Sequence, residues 1–368
     1  MNVSASLDSV PSPPGASLIS DHIADYIMVM LCFMILTFSL PSIVLNIVNV
    51  YVFLNTKLDS VTVCFISLAL SDLSAMLLLS TNAFFSIIVA FGLGRGTNLP
   101  TYTYALSFGF SFSVDSSSAS TTYIALQRGL CVAFPFLTRH VFNKNRSLVI
   151  CVSIFLVMLS FSLPRFTAFK LKTISDPMDN TSTIVVVEYL DSWDALESFY
   201  TMFVKTALVF IEYGVMIICT VAITIGMRSS IKLKQNSTAL TDQPKARKRP
   251  EGKRTKKDKN CKDSTGNGED QLRKKRDCRE ALVVKQSLVV VLTHVILTTP
   301  RIFACLYQVF EPRYRLGGQF QNLFFVFFTA INVTDSINAF VNFFVYLKFN
   351  SKFRNYFLTS IYKQKAIV

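Results

Sequence analysis

TTYIALQRGLCVAFPF, from Thr121 to Phe136, is largely apolar and carries a single charge, Arg128. A guanidinium in such a stretch is costly unless it has a partner or a task. Two readings follow from the residues alone. Arg128 is an interfacial arginine reaching up to lipid phosphate, or it is a shielded cation with a job at one end of a membrane span.

Composition favours a membrane setting. The 368 residues are 51% hydrophobic, include 33 Phe and are only 16% charged, too few charges to cover a soluble domain of this size. The net charge of +14 would suit nucleic acid, an anionic membrane face or acidic partners. Its distribution chooses among them. Most of the excess lies between Arg228 and Lys285, in a run without aromatic residues to stack on bases. A loop against anionic lipid explains that run, and nucleic acid is not expected as a partner. The eight cysteines form no disulfide framework, and with three His the chain offers no metal-ligand spacing.

A helix needs about 20 mostly apolar residues to cross a bilayer. Seven runs qualify: Tyr26–Leu54, Val61–Phe91, Tyr102–Phe134, Leu148–Phe169, Phe199–Met227, Ala281–Phe310 and Phe320–Phe349. The third contains SFGFSFSVDSSSAST and reads either as a polar loop or as a central helix surrounded by protein, where serines bond to backbone and neighbours. The expected architecture is an all-α membrane protein: a seven-helix bundle over 26–349, with a short amphipathic eighth helix and tail over 350–368. Residues 1–25 are expected to form a polar tail without a cleavable signal peptide, so the first apolar run is the targeting signal. Residues 228–280 are expected to be a disordered basic loop.

The loops after spans one, three and five carry the Lys/Arg excess, and the alternate loops carry Asp176, Asp179, Glu188, Asp191, Asp194 and Glu197. This bias puts the N-terminus outside. Asn2 and Asn180 then stand in sequons on the outer side, as glycosylation sites or as chance matches.

Within the spans lie Asp72, Asp115, Arg128, Lys205, Glu212, His294, Arg301 and Asp335. Spacing puts Ser117 three turns deeper than Arg128, and Asn46, Asn338 and Asn342 at a depth similar to that of Asp72. Leu68-Ala69-Leu70-Ser71-Asp72-Leu73, Gln127-Arg128-Gly129, Pro300 in the sixth span, Asn342-Phe343-Phe344-Val345-Tyr346 and Phe353-Arg354-x-x-Phe357 occur in that order. In this order and placement the chain resembles a rhodopsin-like (class A) G protein-coupled receptor across all seven spans, in the style of divergent invertebrate chemosensory and peptide receptors.

The resemblance implies a switch built from Arg128, Glu280, Tyr346, Asn342 and Pro300. At rest Arg128 would pair with Glu280. On activation the sixth helix would swing out and open a crevice for a heterotrimeric G protein, and arrestin would follow through the third inner loop. Asp72, Ser117, Asn338 and Asn342 resemble the family's sodium pocket; a hydrated polar cluster without an ion is the alternative. No other metal or cofactor is implied.

Several departures matter. The family's acidic neighbour of the switch arginine is Gln127 here. The sixth-span aromatic pattern reads His294-Val-Ile-Leu297-Thr298-Thr-Pro300. No cysteine stands at the outer end of the third span or in Lys170–Tyr200, so the family's disulfide, worth about 2–4 kcal/mol, cannot form. The alternating run TSTIVVVEY (Thr181–Tyr189) is a hairpin candidate in its place. Where amine receptors carry an aspartate, this chain has Phe110. The ligand candidates are therefore Phe110, Arg301, Asp335 and Lys205, suited to a peptide or small molecule. Arg301 and Asp335 would either bind opposite ends of that ligand or satisfy each other.

The functional alternatives are a ligand-binding decoy that does not signal and a transporter. The absence of an internal repeat argues against the transporter. No catalytic motif points to an enzyme.

Overall fold

The chain spends its apolar runs on long rods. The computed structural model describes residues 19–93, 99–134, 141–176, 179–190, 193–241, 266–311, 313–314 and 318–365. The rods are α1 (Asp21–Leu54), α2 (Ser60–Ala90), α3 (Leu99–Ala133), α4 (Lys144–Thr167), α5, α6 (Gly266–Phe310) and α7 (Gln321–Phe349). Helix α5 is continuous but composite, with an α-helical start (Trp193–Phe199), a π-helical stretch (Tyr200–Leu208) and an α-helical remainder (Val209–Thr241). A shorter helix, α8 (Ser351–Lys365), follows α7.

Six of the rods contain spans long and apolar enough to cross a bilayer. The other is α3, which is 35 residues long and so about 50 Å at 1.5 Å per residue. Its serines explain both its low apolarity and its position. Ser113, Ser116 and Thr121 each donate to the carbonyl four residues back, at 2.9, 2.9 and 3.0 Å. Satisfied in this way, the hydroxyls are buried where α3 packs against α2, α4, α5 and α6. The central-helix reading of the third span therefore holds, and the polar-loop reading does not.

Helix enters both ends of the 228–280 range expected to be a disordered loop. Helix α5 continues to Thr241 and α6 begins at Gly266. The α6 extension carries several Arg, Lys and Glu, which favour helix even without an apolar face. Residues 242–265 lie outside the described residues.

TSTIVVVEY forms strand β2 (Asp179–Tyr189), paired antiparallel with β1 (Phe169–Asp176). This hairpin connects α4 to α5 and marks one end of the bundle. At the other end, Phe53 of α1, Phe65 of α2, Tyr346 of α7 and Phe353 of α8 pack together, with Phe53 and Phe65 each about 5 Å from Tyr346 (5.1 and 5.0 Å). Phe353 is fully buried, so the apolar side of α8 is fastened to α1 and α7.

The α2 N-terminus is capped by Asp59, which accepts from the Thr62 N–H at 2.9 Å and lies 3.0 Å from Lys352 of α8. Burial opposes ionisation of Asp59, but the two Thr62 hydrogen bonds and the Lys352 ammonium outweigh it and hold the carboxyl below its ordinary range. The stabilisation from this group is present above the unfolded carboxyl range. It is lost as pH falls through the lowered value.

Two glycines set the approach of α3 to α5. A Cβ on Gly226 would fall 2.1 Å from Val132 Cγ1, and a Cβ on Gly129 would lie 3.1 Å from Cys219 Sγ. Val132 is β-branched and cannot swing aside within a helix. Gly226→Ala should therefore destabilise the bundle by about 1–3 kcal/mol, read as a lower Tm of the purified protein. Adding Val132→Ala should restore most of the loss. An unchanged Tm for the single variant would show that the rods are not held this close.

Candidate functional site

Four ionised side chains from four rods meet in the half of the bundle that carries the hairpin. Asp115 of α3 accepts from Tyr200 Oη at 2.7 Å and from Lys205 Nζ at 2.9 and 3.1 Å. Arg301 of α6, next to Pro300, lies 3.8 Å from Asp115 and donates through Nη2 to Asp335 of α7. All four side chains are at most 19% exposed. The π-helix makes this geometry possible. Residues five apart point about 140° from each other on an α-helix, but a π-helix turns in closer to five residues and stacks them. Tyr200 and Lys205 are five apart and share one carboxylate.

Of the four ligand candidates, three belong to this cluster. Arg301 and Asp335 satisfy each other, the structural alternative considered from sequence. The fourth, Phe110, is not brought to it. Five residues before Asp115, it faces another way and is buried in an apolar cluster with Cys32, Met76 and Val333 from α1, α2 and α7.

Beside the cluster, Arg165 of α4 is held between the rings of Phe108 (4.5 Å) and Tyr200 (4.0 Å) and is bonded to Glu197 at 2.9 Å. Trp193 packs on Phe108, with centroids 5.8 Å apart. This clasp ties α3, α4 and the start of α5 together without a disulfide among the described residues. The Tm of the purified protein should therefore be unmoved by reductant, and Arg165→Ala should lower it by about 2 kcal/mol of stability. A large loss of Tm in reductant would contradict this.

One layer deeper, Asp72 of α2 accepts from Ser117 Oγ at 2.6 Å and from Asn342 Nδ2 at 2.9 Å. A cavity of about 20 Å³ adjoins it, bordered by Asp72, Ser117, His294, Asp335 and Asn338. That volume suits one water-sized occupant. Asn338 does not bond to Asp72. Its Nδ2 lies 3.2 Å from His294 Nδ1, and its Oδ1 is buried without a hydrogen-bond partner among the described residues. A carboxylate, a hydroxyl and an orphaned carbonyl oxygen around so small a space fit a hard monovalent cation. Asn46 bonds instead to Ser42 and to the Ala339 carbonyl, tying α1 to α7.

Spacing did not reveal the partners of Glu212 and His294. Ser118 Oγ donates to Glu212 Oε2 at 2.6 Å and lies 3.4 Å from His294 Nε2. Tyr213 donates to the Val295 carbonyl at 2.6 Å and shares a 2.5 Å hydrogen bond with Thr298, joining α5 to α6 just before Pro300.

At the opposite end Gln127 turns away from Arg128. Its amide donates to Ser60, which lies 2.5 Å from Ser147. Gln127 is thus a buried tie from α3 to α2, and through Ser60 to α4. Arg128 borders a second cavity, of about 80 Å³, with Asp59, Phe65, Leu282 and Lys352. Its Nε and Nη2 are buried without a hydrogen-bond partner among the described residues. Glu280 is on α6, two residues before Leu282, and its side chain lies outside the described residues. Tyr346 Oη is likewise buried without a partner among them.

Seven rods, a buried cluster of paired charges inside the bundle and an apolar outer surface define a multi-pass helical membrane protein with a polar interior. The family model described as 7 transmembrane receptor (rhodopsin family) matches residues 45–346, well over half of the chain. The chain belongs to this family of receptors. No curated protein sequence matches it.

Proposed function

We propose that this receptor is activated by an extracellular ligand engaging the Asp115–Lys205–Arg301–Asp335 cluster, and that it signals through a heterotrimeric G protein at the Arg128 mouth. The observation that carries this reading is the cluster itself. It joins α3, α5, α6 and α7 through charges that are expensive to bury and that stability alone does not require. A ligand that re-pairs any of them changes the contact between α6 and its neighbours.

In this reading the N-terminus and hairpin are outside, at the plasma membrane, with Asn2 and Asn180 glycosylated. Asn2 and the Asn180 side chain lie outside the described residues. At rest Arg128 pairs with Glu280. Activation moves α6 outward, and arrestin binds the inner loops afterwards. A sodium ion beside Asp72, held by Ser117 and Asn338, favours the resting state through its higher affinity for that state.

The ligand is a peptide or a small chemosensory molecule with charged or strongly polar groups. The test is a screen of such compounds on cells expressing the chain with a promiscuous G protein, with Arg301→Gln as a control. Ligand-dependent signalling whose potency falls in Arg301→Gln supports the reading. Binding without signalling would identify a decoy. Normal potency with poor folding would make Arg301 purely structural.

A further inference from the structure

We propose that Tyr213 is a positioning residue that latches α6 shut at its bend: its hydroxyl ties the turn before Pro300 to α5, and release of that tie frees the inner arm of α6 to swing. This rests on the outward movement of α6 in the activation proposed above.

The bend follows from the sequence of α6. Pro300 lies inside the helix and has no N–H, so the carbonyl of Ile296 loses its donor four residues on. Thr298 Oγ1 donates to the His294 carbonyl and Thr299 Oγ1 to the Val295 carbonyl, both at 2.6 Å. Hydroxyls that bond back by four residues loosen and bend a helix. Three successive carbonyls, those of His294, Val295 and Ile296, therefore lie in one weakened turn, and α6 bends there at least cost.

Tyr213 reaches this turn from α5, and both it and Thr298 are buried. Its Oη lies 2.6 Å from the Val295 carbonyl and 2.5 Å from Thr298 Oγ1. Two hydroxyl hydrogens, on Tyr213 and Thr298, serve three contacts. If Thr298 gives its hydrogen to His294, Tyr213 donates to Thr298. If Thr298 gives it to Tyr213, Tyr213 donates to Val295. In both arrangements the phenol is a donor to α6, so the tie does not depend on where the hydrogens sit. Outward of the bend, α6 is fixed by Arg301 in the ion cluster and by Cys305 Sγ, 3.2 Å from the Lys205 carbonyl. Just inward of it, the contacts of Tyr213 are shorter than those of His294 to Ser118 and Asn338, at 3.4 and 3.2 Å.

Leverage makes the tie sensitive to the state of α6. Leu282 and Val283 wall the Arg128 cavity, so the inner arm is closed in this structure. At 1.5 Å per residue, Leu282 stands about 27 Å from Pro300 along the axis and Val295 about 7.5 Å. A swing of about 5 Å at Leu282 then moves Val295 by about 1.4 Å. That takes a contact of 2.6 Å past hydrogen-bond range. The bond is made in the closed form and lost in the open one, and such a difference is what shifts an equilibrium between two states.

Tyr213→Phe deletes one oxygen and keeps the ring. Spin labels attached by non-cysteine chemistry at Val149 of α4 and Lys285 of α6, both exposed, would report the position of the inner arm by double electron–electron resonance. The full-length receptor in phosphatidylcholine nanodiscs is measured without ligand. In Tyr213→Phe the ratio of long to short distances should rise about fivefold, the effect of one neutral hydrogen bond, and ligand-free G protein signalling at matched surface expression should rise with it. Thr298→Val removes the other hydroxyl and should move both readouts by about twofold. It decides the point if Tyr213→Phe fails to fold. A lower Tm with unchanged distances makes Tyr213 a packing residue and overturns the latch. Longer distances with no signalling from any form sustain the latch and overturn the G protein reading. A wild-type receptor that signals, with variants unchanged in distance and in basal signal, overturns the latch alone.

Discussion

Asp115→Asn is expected to leave little folded receptor at the cell surface. Asp115 takes the Tyr200 hydroxyl, the Lys205 ammonium and part of the Arg301 charge. Without its charge, two buried cations face the single carboxylate of Asp335. Stranding a buried charge costs about 3–5 kcal/mol. A whole domain is stable by only about 5–15 kcal/mol. The same arithmetic predicts a rescue. Lys205→Met added to Asp115→Asn removes the surplus cation and leaves Arg301 paired with Asp335. The double variant should recover most of the surface count by flow cytometry and most of the Tm. Wild-type expression of the single variant would refute the idea that the four ions balance as a unit. A rescued double variant that no longer responds to ligand would give the cluster a role beyond folding.

The second large effect is expected at the other end. Glu280→Ala should raise ligand-free signalling by about tenfold or more at matched surface expression. A hydrogen bond to a charged group contributes about 1.5–3 kcal/mol. The proposed Arg128–Glu280 bond, lost from the resting state alone, would shift the resting-to-open ratio accordingly. Arg128 has donors to spare, since its Nε and Nη2 meet no partner among the described residues. Gln127 does not compensate, because its amide is committed to Ser60. Basal signalling equal to wild type would remove the lock from the mechanism.

The sequence alone carried the number of spans, the polar column through the bundle and the hairpin. Each is a one-dimensional property. The hydrocarbon thickness fixes how long an apolar run must be, and an alternating run such as TSTIVVVEY suits a strand wherever it lies. The motif order from Leu68 to Tyr346 was legible for the same reason, and the family match over residues 45–346 agrees with it. The helical ends at Thr241 and Gly266 were not legible. Apolarity marks where a helix crosses the membrane but not where it ends, because residues such as Arg and Lys extend a helix into water without it.

Pairing was decided only by the tertiary structure. Lys205 was a charge in search of a partner until a π-turn stacked it with Tyr200 on Asp115. Glu212 and His294 stand 82 positions apart and share Ser118, which no motif marks. Phe110 and Asp115 lie on one helix, yet one is buried in an apolar cluster and the other in the ion cluster. Hydropathy sets which residues enter the membrane. The rotation and crossing of the rods decide which of them meet, and those depend on contacts such as Gly226 against Val132 that only exist once the bundle has packed.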